Sequence, residues 1–209
     1  MESKEEYKRT LTEIRDLMDT SSRFHSLSGL AGISAGFIAL VGTAVFYLHF
    51  GFSLLDPFLF INYQTVPFLL FDGLIILSLS LFAAFFFTKR NAAKNDEKLW
   101  TPVFKRVLLY WLIPMVPGGI ILLSFAFGQG PILFPSAIAL SIIFYGIALV
   151  NASKYSMNEL FWLGISELII GLAAFFFWKY SLLLWAAGFG LMNILIGCIA
   201  YYKYESRKS

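Results

Sequence analysis

The chain has almost no cysteine, little histidine and little charge, and each shortage closes off a class of function. Cys198 is the single cysteine, so an intrachain disulfide is excluded and the redox state of the compartment leaves no mark. Set inside an apolar run, it reads as a small hydrophobe. The two histidines, His25 and His49, flank the first apolar stretch and fall on opposite sides of a membrane that it would cross. Neither a His-based metal site nor the paired axial ligation of a b-type haem can be built from them. His-Glu-x-x-His, Gly-x-Ser-x-Gly and a phosphate-cradling glycine loop are missing, which leaves intramembrane proteolysis, acyl transfer and nucleotide hydrolysis without support. No enzymatic chemistry and no cofactor is expected. Charged residues make up only 14% of the 209, and no soluble stretch is long enough to build the basic, base-stacking face that nucleic acid requires.

What the chain has in abundance is apolar surface. Hydrophobic residues reach 58% and aromatics 18%, the mean hydropathy is +0.73, and ordinary soluble domains hold about 45–50% apolar residues. Six apolar windows, at 29–50, 66–88, 107–127, 131–150, 157–178 and 181–202, each approach the ~20 residues that cross ~30 Å of hydrocarbon. The expected fold is an all-α membrane protein: a six-transmembrane-helix bundle over 28–204, preceded by a cytoplasmic amphipathic helix in 1–27 and followed by a tail at 205–209. A cleavable signal peptide opens on a short basic segment and closes on small residues, so the first span is expected to stay attached as an anchor.

Topology follows from the cations. The formal charge of +3 is first of all a topology signal: with an even number of spans and a cytoplasmic N-terminus, all of the 16 Lys and Arg except Lys179 fall on the cytoplasmic side. Five or seven spans would break that one-sidedness. Both termini are therefore expected in the cytoplasm, with the cytoplasmic loop 89–106 serving as a topology determinant. The two-residue connection Lys179-Tyr180 makes the last two spans an antiparallel pair, and Gly128-Gln129-Gly130 asks the same of the third and fourth. The outer segment 51–65 is too apolar for a free loop and reads as lying in the headgroup region or over the bundle mouth.

Ahead of the first span, 2–24 carries Tyr7, Leu11, Ile14, Leu17, Met18 and Phe24 at helical spacing, with Ser3 and Glu6 placed as a capping box. Its acidic and basic residues nearly cancel, which favours packing on a protein surface, a homo-oligomeric copy or another partner, over adhesion to anionic lipid. A solvated cap is the plainer alternative.

Packing residues are legible because lipid provides no hydrophobic drive between helices, so small side chains that allow close backbone approach carry association. Gly29, Gly32, Gly36, Ala39 and Thr43 share one face of the first span. Ala186, Gly190, Asn193, Gly197 and Ala200 share one face of the last. The first span is the expected centre of the bundle.

Candidate chemistry sits where polar groups enter hydrocarbon. Glu167 is deepest, with Gly164, Gly171 and Ala174 on its face. Desolvation there disfavours the charged form, the behaviour wanted of a proton-relay carboxyl; interhelical glue is the structural alternative. Asn193, near mid-depth in the paired last span, is placed to donate to Glu167. Asp72 lies in the outer third of the second span, where it can serve an ion site, snorkel or pair with backbone. Pro114, Pro117, Gly118 and Gly119 mark a kink or break in the third span, since each proline removes a donor and crowds the preceding turn. The runs 83–89 and 173–179 look alike, but the third and sixth spans match only at another offset, so no inverted repeat is inferred.

Ile14-Arg15-Asp16-Leu17-Met18, Ser21-Ser22-Arg23-Phe24, Ser26-Leu27-Ser28-Gly29 and Gly32, together with Trp185-Ala186-Ala187-Gly188-Phe189-Gly190 and Tyr201-Tyr202-Lys203-Tyr204-Glu205, resemble the two ends of a group of uncharacterised polytopic bacterial inner-membrane proteins. The resemblance covers the ends and not the middle. It implies a bacterial inner-membrane setting, and since the group has no assigned activity it contributes no site residues. Two functions remain: a small transporter or channel-like protein using Glu167 and Asn193, or a membrane-embedded sensor or assembly scaffold acting through its N-terminal helix. A water-accessible cavity at Glu167 would favour the first, and a dry interface closed over it the second.

Overall fold

A computed structural model describes residues 24, 27–50, 65–95, 99–128 and 134–206. The amphipathic segment at 2–23, the outer segment 51–64, the turn at 129–133 and the last three residues lie outside the described residues. Six helical spans are long and apolar enough to cross a membrane, and helices account for nearly all of the described chain.

The first five are α1 (Gly29–Phe50), α2 (Thr65–Lys94), α3 (Pro102–Gly128), α4 (Phe134–Ser153) and α5 (Asn158–Phe176). A 3-10 turn, Trp178–Tyr180, reverses the chain. The sixth span then runs without a gap through α6 (Ser181–Trp185), a π-helical segment (Ala186–Met192) and α7 (Asn193–Tyr204).

Two helices run beyond their apolar windows. α2 continues past Thr88 to carry Lys89, Arg90 and Lys94 on helix, so the span outlasts its hydrophobic run. α3 starts at Pro102, five residues before the window at Val107. The cause is local: Thr101 Oγ1 accepts the Phe104 N–H at 3.1 Å, and proline follows at the first helical position, where its missing donor costs nothing.

Of the kink or break expected in the third span, the break is absent. α3 remains helical through Pro114 and Pro117, so no break occurs at 114–119. Each proline deletes one hydrogen bond, to the carbonyls of Tyr110 and Ile113, whereas unwinding in lipid would strand many more backbone groups at several kcal/mol each. Gly118 is a packing residue: a Cβ there would lie 2.6 Å from Cγ of Phe144 on α4. Gly119 faces open space.

The helices stand in a curled row. α2 packs on α1, α1 on the π segment and α7, these on α5, α5 on α4, and α4 on α3. The seam between α1 and the sixth span brings together all five glycines expected to pack. A Cβ at Gly36 would lie 2.5 Å from the Gly190 carbonyl oxygen, and one at Gly197 would lie 2.8 Å from both the Gly29 oxygen and the Ile33 nitrogen. At Gly32 the nearest atom is the Asn193 oxygen at 3.2 Å. Backbone lies against backbone along this seam, which maximises dispersion contacts where the solvent is as apolar as the side chains. A second close seam joins α4 and α5, where a Cβ at Gly146 would come within 2.9 Å of the Gly164 oxygen.

The basic end of the bundle is fastened by polar contacts. Glu205, just past α7, accepts the Gly29 N–H at 2.6 Å and the Ser28 hydroxyl at 3.0 Å, capping the first turn of α1 from the far end of the chain. Glu159, in the first turn of α5, accepts from Lys203 Nζ at 2.6 Å and from the Tyr204 hydroxyl at 2.9 Å. The Lys203 side chain is 54% exposed, so solvent screening leaves that pair a weak contact. The Glu205 cap is the stronger clasp, because it satisfies an orphan helix donor with a carboxylate at the positive end of the helix. Replacement of Glu205 by alanine is expected to cost ~1 kcal/mol. Thermal unfolding in lipid nanodiscs checks it: an unchanged midpoint would remove the cap from the account. Nearby, Phe24 is buried and donates its N–H to the Tyr155 carbonyl at 2.8 Å, while its own carbonyl accepts from Ser156 Oγ at 3.2 Å. The chain is thereby fixed to the α4–α5 connection just before α1 begins.

Candidate functional site

Glu167 is completely buried, Asn193 is 3% exposed, and the structure brings the two together. Glu167 projects from the small-residue face of α5, where Leu163, Gly164, Gly171 and Ala174 are buried with it. Asn193 opens α7. Its amide Nδ2 donates to Glu167 Oε1 and to the Gly188 carbonyl, both at 3.4 Å. Its Oδ1 accepts from the Tyr145 hydroxyl of α4 at 3.0 Å. Because Tyr145 occupies the oxygen, the amide nitrogen is the side left facing Glu167. Three helices are thus joined through one amide. The Tyr145 bond is at the ordinary length and the two amide bonds are long, so the tyrosine link is the firmest of the three.

The second carboxylate oxygen is different. Glu167 Oε2 is buried and has no hydrogen-bond partner among the described residues. It lies over Gly188, where a Cβ would collide with it. A buried acceptor without a donor costs ~1–3 kcal/mol, so this oxygen is a point of stored cost at the centre of the molecule.

Gly188 belongs to the π segment, whose wider turn accompanies the group. Single-turn π distortions recur at functional sites. The segment carries a ring stack: Trp185 against Phe189 at 4.7 Å between centroids, and Phe189 against Tyr145 at 4.6 Å and 21°. The stack holds the phenol so that its hydroxyl reaches Asn193.

Asp72 stands apart from this group. It borders a cavity of about 160 Å³ between α1, α2, α3, α4 and α6, with Thr43, Ile76, Leu122, Ser141 and Trp185 among its walls. Glu167 and Asn193 do not line that cavity. Trp185 borders it on one side and joins the ring stack on the other. Pro114, Pro117 and Gly119 do not enter the Glu167 group either.

Tyr145 and Gly188 are the members that sequence reasoning missed. Tyr145 looked like one more aromatic in an apolar helix. The pair Gly188 and Gly190 held a usable signal: glycines two apart in a helix face different neighbours, here Glu167 and Leu40. Their i, i+2 spacing pointed to contacts on two sides of the last span.

Taken together, the fold is that of a polytopic α-helical membrane protein with the Tyr145–Asn193–Glu167 group buried among its helices. No protein family, no curated protein and no solved structure matches the chain.

Proposed function

We propose that this is a non-enzymatic protein of the bacterial inner membrane, both termini cytoplasmic, that acts as a membrane-embedded sensor or assembly scaffold through its N-terminal segment. The observation that carries the reading is the closure over Glu167: the carboxyl is fully buried, covered by Gly188 and Asn193, and absent from the walls of the cavity. The Tyr145–Asn193–Glu167 group then serves to fix three helices in one arrangement. The N-terminal segment meets this rigid body at Phe24, whose backbone is held on both sides by Tyr155 and Ser156. Its balanced charges suit a protein surface better than an anionic leaflet.

Deletion of 2–22 is expected to abolish a cross-linkable partner, or a homo-oligomer, while the spans keep their helicity and melting temperature. Retention of the complex by the deleted protein would count against the scaffold.

A second reading, a small proton-coupled carrier, is favoured by one observation, the unpartnered Oε2 beside a π segment. It requires water to reach Glu167, and it requires Glu167→Gln to remove a pH-gradient-dependent flux from reconstituted protein that is still folded.

A further inference from the structure

The cavity beside Asp72 is separate from the Glu167 group, and its chemistry is one-sided. Asp72 makes no hydrogen bond or ion pair among the described residues, although it sits within a span. The two hydroxyls on the lining have committed their protons to their own helices: Thr43 Oγ1 donates to the Ala39 carbonyl at 2.9 Å and Ser141 Oγ to the Ile138 carbonyl at 2.6 Å. What they have left for a visitor is lone pairs. Among the described lining residues, the indole N–H of Trp185 is the one side-chain donor not so committed. The other described lining residues are apolar.

An almost wholly greasy wall with a single carboxyl among its described lining residues describes the complement of a small lipophilic organic cation. A free metal ion would need several oxygen ligands in place of these hydrocarbons. A hydrated anion would meet a carboxylate and acceptor lone pairs, with a single indole N–H to set against them. The volume suits a body of about six to eight non-hydrogen atoms, by comparison with apolar cavities of similar size that hold one aromatic ring.

An access route is also built in. Asp72 and Ile76 bring α2 to the cavity, and Leu122 brings α3. Yet α2 packs on α1, and α3 packs on α4, with no extended contact between α2 and α3 themselves. Their outer faces expose Phe71 and Leu74 on one helix and Val116 and Ile120 on the other.

We propose that this cavity is a binding site for a small lipophilic organic cation, a primary amine on an aromatic or short aliphatic body, which enters from the bilayer between α2 and α3 and pairs its ammonium with Asp72. The inference goes beyond the scaffold reading and does not depend on it.

The test uses the full chain in lipid nanodiscs with benzylamine, cationic at neutral pH, and toluene, its neutral counterpart of nearly the same shape. Binding is measured by calorimetry against empty nanodiscs. Benzylammonium is expected to bind saturably, at least tenfold more tightly than toluene. Asp72→Asn is expected to weaken benzylammonium at least tenfold and leave toluene within threefold, and Asp72→Glu to keep most of the affinity. Toluene binding as tightly as benzylammonium would make the cavity an apolar slot for an acyl tail and overturn the proposal. Asp72→Asn protein that kept full affinity, or binding no greater than to empty nanodiscs, would overturn it too. Should Asp72→Asn protein fail to fold, the wild-type preference for cation over neutral isostere decides alone.

Discussion

Replacement of Gly197 by leucine is expected to unfold the bundle or split α1 from the sixth span, at a cost of ~3 kcal/mol or more. Even a methyl at this position lies 2.8 Å from the Gly29 oxygen and the Ile33 nitrogen, and both are backbone atoms on a helix that cannot yield alone. Overpacking a tight core costs ~1–3 kcal/mol even when side chains can move aside; here none is available to do so. The strength of the claim lies in its grading. Alanine at Gly29, where Tyr201 and Gly197 backbone crowd the site still more closely, should be at least as damaging as alanine at Gly197. Alanine at Gly32, with nothing nearer than 3.2 Å, should be milder. Alanine at Gly73 or Gly119, where a Cβ meets nothing within 4 Å, should be neutral or gain ~0.5–1 kcal/mol from restricting the unfolded chain. Melting temperatures of the five variants in one lipid composition check the order. A flat series would mean the seam is not what holds α1 in place.

The second large effect concerns Gly188. Alanine there is expected to destabilise by ~1–3 kcal/mol, because its methyl group would push the fully buried Glu167 carboxyl off Gly188. Glu167→Ala alone is expected to cost a similar amount, through the void it leaves and the Asn193 amide it strips of a partner. The two should not add. With the carboxyl gone, the methyl group at 188 enters the vacated space, so the double variant should be more stable than the sum by at least ~1 kcal/mol, the range seen for residues in direct contact. Additive costs would show that Oε2 does not rest on Gly188. Glu167→Gln, which keeps the shape, should be much the mildest change at this position.

Much of the architecture could be read from the residues because lipid is an exacting solvent. The six spans follow from the length of apolar runs. The α1–α7 seam follows from glycine spacing, since in hydrocarbon only small residues allow backbones to touch. The contact between Glu167 and Asn193 followed from the short connection that makes α5 and the last span antiparallel. Other features depend on tertiary contacts that no local pattern encodes. The π segment is one: a register of i to i+5 is chosen by what packs on the helix, here Glu167 against Gly188 and Tyr145 against Phe189. The continuous α3 is another, because two prolines and two glycines allow a kink or a break alike and do not say which the packed span adopts. The Asp72 cavity is a third. Its walls come from five helices, and nothing in the neighbourhood of residue 72 announces Ser141 or Trp185 as partners.

The account turns on whether the centre of the bundle is dry. Amide hydrogen exchange in lipid nanodiscs at neutral pH, read by mass spectrometry over 163–171 and 186–193, measures this at the backbone that surrounds Glu167. The predicted result is protection as strong as that of the glycine seam in 29–36, unchanged when a pH gradient is imposed across reconstituted vesicles. Rapid exchange over 186–193, at the level of the connection near Thr101, would mean that water reaches Glu167, and the sealed interhelical lock would have to give way to a wet pathway.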